Sequence, residues 1–196
     1  MDNTTTPSQD TEALRLRALH QYEILDTPPD GAFDNITAMA AQIFQVPIAI
    51  VSLVDYDRIW FKSHHGLDAQ QIERSRGLCA SAILQDSPYI LEDTRTHPEA
   101  LTNPLVAHEQ GFRFYAAAQL KTPEGFNLGT ICVIDYKPRR VDNNENKILE
   151  TLAELVIAQM ELRLSSNRVS RLHRKVADLY GDHHSAHADA LDTQPS

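Results

Sequence analysis

The run Ile48-Ala49-Ile50-Val51-Ser52-Leu53-Val54 is apolar at all but one position, so an extended segment carries apolar side chains on both alternating faces. Such a strand is stable where both faces are covered, in the middle of a sheet between other layers. The polar corner Asp55-Tyr56-Asp57-Arg58 follows. Next comes Ile59-Trp60-Phe61-Lys62-Ser63, which turns polar through His64-His65, as a strand leaving the core does. The pair predicts a central hairpin, and the remainder of the chain is read as what covers it.

Before the hairpin, residues 1–11 are polar and expected to be a disordered tail. Glu12 to Ile24 reads as a helix with Leu14, Ala18 and Tyr22 on one side, broken by Leu25-Asp26-Thr27-Pro28-Pro29-Asp30-Gly31. A second helix places Phe33, Ile36, Ala40, Ile43 and Phe44 on the face that packs on the sheet, and Pro47 stops it. Residues 66–111 are irregular, with a short helical piece at Leu78 to Leu84 and a strand at Tyr89-Ile90-Leu91. A long irregular segment in a small domain usually covers a pocket or a partner site. A second hairpin follows: Phe114, Ala116, Ala118 and Leu120 alternate into Thr122-Pro123-Glu124-Gly125, and Leu128, Thr130, Cys132 and Ile134 alternate away. Proline second and glycine fourth fit a type I turn.

Asp142 stands three residues before Glu145, a capping-box start for the last helix, whose first apolar face is Ile148, Leu149, Leu152, Leu155 and Val156. Beyond Ala158 the spacing becomes heptad. Leu155, Leu162, Val169 and Val176 hold one seam position; Ala158, Ser165, Leu172 and Leu179 hold the other. This helix, read to about Tyr180, outlasts what the domain needs, and a parallel homodimeric coiled coil is the natural partner for its stripe. The expected division is a tail to 11, a domain over 12–164, a helical extension over 165–180 and a disordered tail over 181–196.

Composition limits the function classes. The 196 residues suit one domain plus tails. A formal charge of −9 disfavours nucleic acid, which prefers a basic footprint. The polar first residues lack a secretion signal and no run is long enough to span a bilayer, so no membrane insertion is expected. Two cysteines without such a signal imply free thiols in a reducing, cytoplasmic compartment.

The order Leu25-Asp26-Thr27-Pro28-Pro29, Val51-Ser52-Leu53-Val54-Asp55, Arg58-Ile59-Trp60-Phe61-Lys62-Ser63, Asn103-Pro104-Leu105-Val106, Arg113-Phe114-Tyr115-Ala116 and Leu128-Gly129-Thr130-Ile131-Cys132-Val133-Ile134-Asp135 resembles a GAF domain over residues 12–164. It is most similar to the bacterial signalling branch found before histidine kinases and diguanylate cyclases. The resemblance implies an α+β fold: an antiparallel five- or six-stranded sheet, first and last helices paired on one face, and a ligand pocket on the other under the irregular segment. The chain departs from that branch where Ser81 replaces a histidine and where Ala117 and Gln119 replace a glycine and a proline. No kinase, cyclase or helix-turn-helix motif follows, so a complete chain of this kind is expected to act through another protein.

The candidate ligand-binding residues are Ser52, Lys62, Ser63, Cys79, Arg113 and Tyr115. Arginine offers bidentate geometry to an anionic ligand; against that, Asp55 and Arg58 are read as closing their turn by pairing. Trp60 and Phe61 are read as core aromatics. Cys79 opens a short helix with Arg74 and Arg76 nearby in sequence, a setting that lowers thiol pKa. Cys132 is read as a buried, inert strand cysteine. The bilin-binding members place a histidine after their attachment cysteine; Ala80 follows here, so no covalent bilin is expected and the cofactor is left open. His183, His184 and His187 favour adventitious metal binding only, and Arg163, Arg168, Arg171, Arg174 and Lys175 the solvated side of a coiled coil. The reading is a non-enzymatic sensor or adaptor in bacterial signal transduction. It binds an unidentified small molecule or partner and signals through a dimeric helix at Leu155, Leu162, Val169, Leu172 and Val176 to a kinase or cyclase. Two alternatives stand: a thiol enzyme resembling free methionine sulfoxide reductase, using Cys79, and an interaction module with an empty pocket.

Overall fold

The computed structural model describes residues 9–101, 103–107 and 111–189. Helix α1 (Gln9–Gln21) and α2 (Gly31–Phe44) precede the strands β1 (Ile48–Val54), β2 (Arg58–His65) and β3 (Gln71–Glu73). The middle of the chain carries α3 (Leu78–Ala82), β4 (Tyr89–Leu91), α4 (Pro98–Leu101) and α5 (Pro104–Ala107). β5 (Phe114–Lys121), β6 (Asn127–Asp135) and α6 (Asn143–Asp189) complete it. The six strands form one antiparallel sheet in the order β3-β2-β1-β6-β5-β4, with β1 and β6 central. Every residue of β1 is buried, as its two-faced apolar run requires. Between β1 and β6 the backbones are so close at Gly129 that a Cβ there would lie 1.9 Å from the Ser52 carbonyl oxygen.

The local signals act as their chemistry dictates. The Asp142 amide donates to Glu145 Oε2 at 2.9 Å and the Glu145 amide to Asp142 Oδ1 at 2.8 Å, a reciprocal capping box. Between β5 and β6 the Gly125 amide donates to the Thr122 carbonyl at 2.9 Å, and Gly125 takes φ +93°, where glycine is favoured. α2 packs on β1 and β2 through Phe33, Thr37, Ala40, Ala41 and Phe44.

Several expectations need correction. α1 begins at Gln9, inside the expected tail, with Asp10 and Glu12 in its first turn facing the positive helix end. It stops at Gln21, because Glu23 and Asp26 take left-handed backbone (φ 49° and 56°) before the prolines arrive. Its buried side is Arg15 and Leu19, with Tyr22 beyond its end, while Leu14 is exposed. On α2, Ile43 is exposed and Thr37 buried in its place. β3 went unpredicted because a three-residue edge strand with exposed Gln71 and Glu73 carries no apolar alternation. α6 passes through Gly181 and ends at Asp189 instead of about Tyr180; one helical glycine costs only about 1 kcal/mol.

The chain falls into two units, one ending at Met160 and the other beginning at Glu161. In the first, Leu149, Leu152, Ala153, Val156 and Met160 of α6 are buried. In the second, Leu162, Val169, Leu172 and Val176 are 63%, 49%, 61% and 49% exposed; Leu155 in the first is 45% exposed. The side chains of Leu179 and of the histidines at 183, 184 and 187 lie outside the described residues. No helix among the described residues is long and apolar enough to cross a membrane.

Candidate functional site

Strand alternation gives the sheet two faces. Ile50, Ser52 and Val54 of β1, Thr130, Cys132 and Ile134 of β6, Tyr115 and Ala117 of β5, and Ile59 and Phe61 of β2 share the face under residues 66–112. Between that face and its cover lies a cavity of about 120 Å³. Its floor is Ile50, Phe61, Ile72, Tyr115, Cys132 and Ile134; its roof is Leu67, Ala69, Gly77, Leu78, Cys79, Asn103 and Phe112. Among the described residues, no charged side chain lines it.

The cover is fastened at several points. Gln119 Nε2 donates to the carbonyls of Ala82 (2.9 Å) and Ser87 (2.7 Å), and Asn127 Nδ2 to those of Ile83 (2.9 Å) and Gln85 (3.3 Å). The Ala82 carbonyl closes α3 and also accepts the Gln85 amide at 3.1 Å; the other three carbonyls lie in the turn that follows the helix. Asn103 Nδ2 donates to the Arg76 carbonyl at 2.7 Å. At its entry, Arg74 Nη1 reaches Glu12 at 2.7 Å and the Asp55 carbonyl at 2.9 Å.

Inside, the Tyr115 hydroxyl donates to Cys79 Sγ at 3.3 Å, and the hydroxyls of Ser52 and Thr130 are 2.9 Å apart. Hydrogen bonding from Cys132 first, then from Ser52, Tyr115 and Thr130, outweighs burial and holds the Cys79 thiol down to about 6. The bond with Cys79 and burial push Cys132 up, and burial above all pushes the Tyr115 phenol up. Arg74 and Arg76, neighbours of Cys79 in sequence, are engaged elsewhere, Arg76 with Glu73 at 3.0 Å.

The six candidate residues separate into three places. Cys79 and Tyr115 line the cavity, and Ser52 sits among the hydroxyls beside Cys79. Lys62 and Ser63 are on the opposite face of the sheet. A bulge in β2 sets Phe61 opposite Ser52 but Ser63 opposite Val51, leaving Lys62 as the extra residue. Ser63 therefore bonds Asp34 Oδ1 (2.7 Å) and the Thr37 hydroxyl (2.8 Å) of α2. Lys62 Nζ donates to Thr27 Oγ1 (3.0 Å) and the Pro28 carbonyl (2.7 Å), 5.3 Å from the Phe33 ring centroid. Arg113 forms a two-point pair with Asp93 at 2.9 and 2.6 Å, which holds the Asp93 carboxyl below its usual range. Asp55 and Arg58 pair at 3.3 Å, as the turn reading has it, and Arg58 also grips Asp26 at 2.8 and 2.7 Å. Ser81 lines a separate open hollow with Glu12, Tyr56 and Arg74.

Cys132 is the residue that sequence reasoning undervalued. It is buried as expected, but it shares the cavity wall with Cys79. Its alternation with Thr130 and Ile134 was the available signal; the position of α3 above it was not. No group of three or more residues fit to hold a metal occurs among the described residues.

An open antiparallel sheet with helices on one side and a small cavity closed by an irregular cover on the other defines a pocket-bearing α+β domain. The comparisons make the class specific. The GAF domain pattern matches residues 28–160, and the chain belongs to the GAF domain family. It is 38% identical over 166 residues to a cyclic di-GMP phosphodiesterase of Pseudomonas aeruginosa, covering 84% of this chain. The chain spans only 28% of that relative's length. Among solved structures, the GAF domain of an Acinetobacter phosphoenolpyruvate-protein phosphotransferase superposes with TM-score 0.57 at 16% identity, over 79% of this chain and 95% of that one. The free methionine-R-sulfoxide reductase of Neisseria meningitidis, solved with its substrate, gives 0.53 at 19%, over 84% and 96%. These two likenesses are of fold.

Proposed function

We infer that the chain is a non-enzymatic sensor domain of bacterial signal transduction. A small uncharged molecule binds in the cavity under residues 66–112. Its preference for one packing of the cover and sheet is passed along a homodimeric α6 to a downstream signalling protein such as a kinase or cyclase. The observation that carries the reading is the cavity itself: about 120 Å³, with a wall that, among the described residues, is apolar apart from thiol, phenol and amide functions. An apolar engineered cavity of about 150 Å³ in another protein stays dry and takes benzene or xenon, so a guest of that scale fits here.

The lack of charge among the described wall residues weighs against the reductase alternative, because a free amino acid needs partners for its ammonium and carboxylate. In the binding set that results, Cys79 and Tyr115 touch the guest and Ser52 supports them, while Lys62, Ser63 and Arg113 hold the fold. The relative's name favours cyclic di-GMP turnover as the process regulated. The net charge of −9 and the free thiols favour a cytoplasmic setting without nucleic acid.

Native mass spectrometry of the purified protein, followed by denaturation of the same sample, tests the reading. The expected species is a dimer carrying a small neutral mass that is lost on denaturation. An empty dimer would replace the sensor with an interaction module, and an adduct surviving denaturation would point to covalent chemistry at Cys79.

A further inference from the structure

The sensor reading gives no chemistry to the two thiols, yet Cys79 and Cys132 are the only cysteines of the sequence and both face one cavity. They belong to different layers: Cys79 lies in the first turn of α3, in the cover, and Cys132 in the interior of β6. α3 lies directly over β6. Tyr115 donates to Cys79 Sγ at 3.3 Å, and on the same sheet face the Ser52 and Thr130 hydroxyls bond each other at 2.9 Å. Neutral donors around one sulfur stabilise its thiolate, and a second thiol beside it can resolve an oxidised sulfur without either leaving the site. The cavity admits water-sized molecules, and its described lining offers no charged group to a larger ionic oxidant such as a peptide disulfide.

We propose that Cys79 and Cys132 form an oxidisable dithiol that reacts with hydrogen peroxide and, once joined, fastens α3 to β6 across the cavity. The Cys79 thiolate attacks one peroxide oxygen and the O–O bond breaks, giving a sulfenic acid and hydroxide. Cys132 then attacks the Cys79 sulfur; the S–S bond forms, and the sulfenic oxygen leaves with the Cys132 proton as water. Two electrons pass from the thiols to one peroxide. This inference does not rest on the cavity holding a guest, and an occupied or empty cavity leaves it standing.

The test treats the reduced full chain with stoichiometric hydrogen peroxide, alkylates it in denaturant, and reads the intact mass and the linked peptides. The expected result is simultaneous loss of both thiols, a mass lower by two hydrogens, and a peptide pair joined through Cys79 and Cys132 within one chain. Cys132→Ala stops instead at one added oxygen on Cys79, trapped by dimedone, with its circular dichroism matching wild type. If that variant does not fold, the wild-type cross-link decides alone. Thiols that stay reduced until denaturant is added would overturn the proposal, as would stepwise oxidation of Cys79 to higher acids in wild type or a link between two chains. None of these failures alters the adduct sought by native mass spectrometry.

Discussion

Lys62 shows how one side chain can carry a structural duty that its charge disguises. It is buried, but its ammonium bonds Thr27 and the Pro28 carbonyl and lies near the Phe33 and Trp60 rings, so it joins the broken Leu25–Pro29 segment to β2. Lys62→Met keeps the stem and loses the donors, leaving the Pro28 carbonyl short of its partner. We expect a loss of about 1–3 kcal/mol, read as a lower urea midpoint with unchanged slope. Peroxide capture at Cys79 belongs to the same scale. Because the reactive form is the thiolate, its rate in the wild type should rise as pH increases through about 6; Cys132→Ala removes the foremost of the hydrogen bonds that hold the thiol down and should move that rise to higher pH.

At the scale of elements, the apolar stripe of α6 makes the sharpest claim. Leu162 and Val169 are exposed, so Leu162→Glu and Val169→Glu should leave circular dichroism unchanged while converting a dimer to a monomer in light scattering. An unchanged mass would count against the coiled coil. Here, too, the reach of sequence reasoning is plain. The buried β1, the Thr122–Gly125 turn and the Asp142–Glu145 box were legible because each depends on residues adjacent in the chain. The side to which Ser63 points was not, because it depends on a register shift against β1 that no local pattern encodes. The meeting of Cys79 with Cys132 was illegible for the same reason: it needs α3 placed over β6 by Gln119 and Asn127, contacts more than thirty residues apart in sequence.

At the scale of the whole molecule, Glu12, Asp26 and Asp55 are carboxylates paired with arginine. Arg58 hydrogen bonding holds Asp26 low. For Glu12, burial pushes up but Arg15 and Arg74 outweigh it; for Asp55, burial is outweighed by His20, the Tyr56 amide and Arg58. Each carboxyl is depressed in the folded state, so its contribution is present at neutral pH and is lost as pH falls through the depressed values, below the ordinary carboxylate range. Arg58→Gln should therefore cost about 1 kcal/mol near neutrality, a modest figure because the pairs are partly exposed. The gap to wild type should narrow as pH falls, which urea midpoints at about pH 7 and about pH 3 would show.

The cover of the cavity is stitched with two kinds of thread. Its entry and its approach to β5 are held by ion pairs, Arg74 with Glu12 and Arg113 with Asp93, which mobile ions screen over a Debye length of about 8 Å at physiological ionic strength. The end of α3, directly above the sheet, is held by the neutral amides of Gln119 and Asn127, on which such ions have little purchase. Rising salt therefore loosens the margins of the cover before its centre, and the helix that carries Cys79 stays seated while the hems come free.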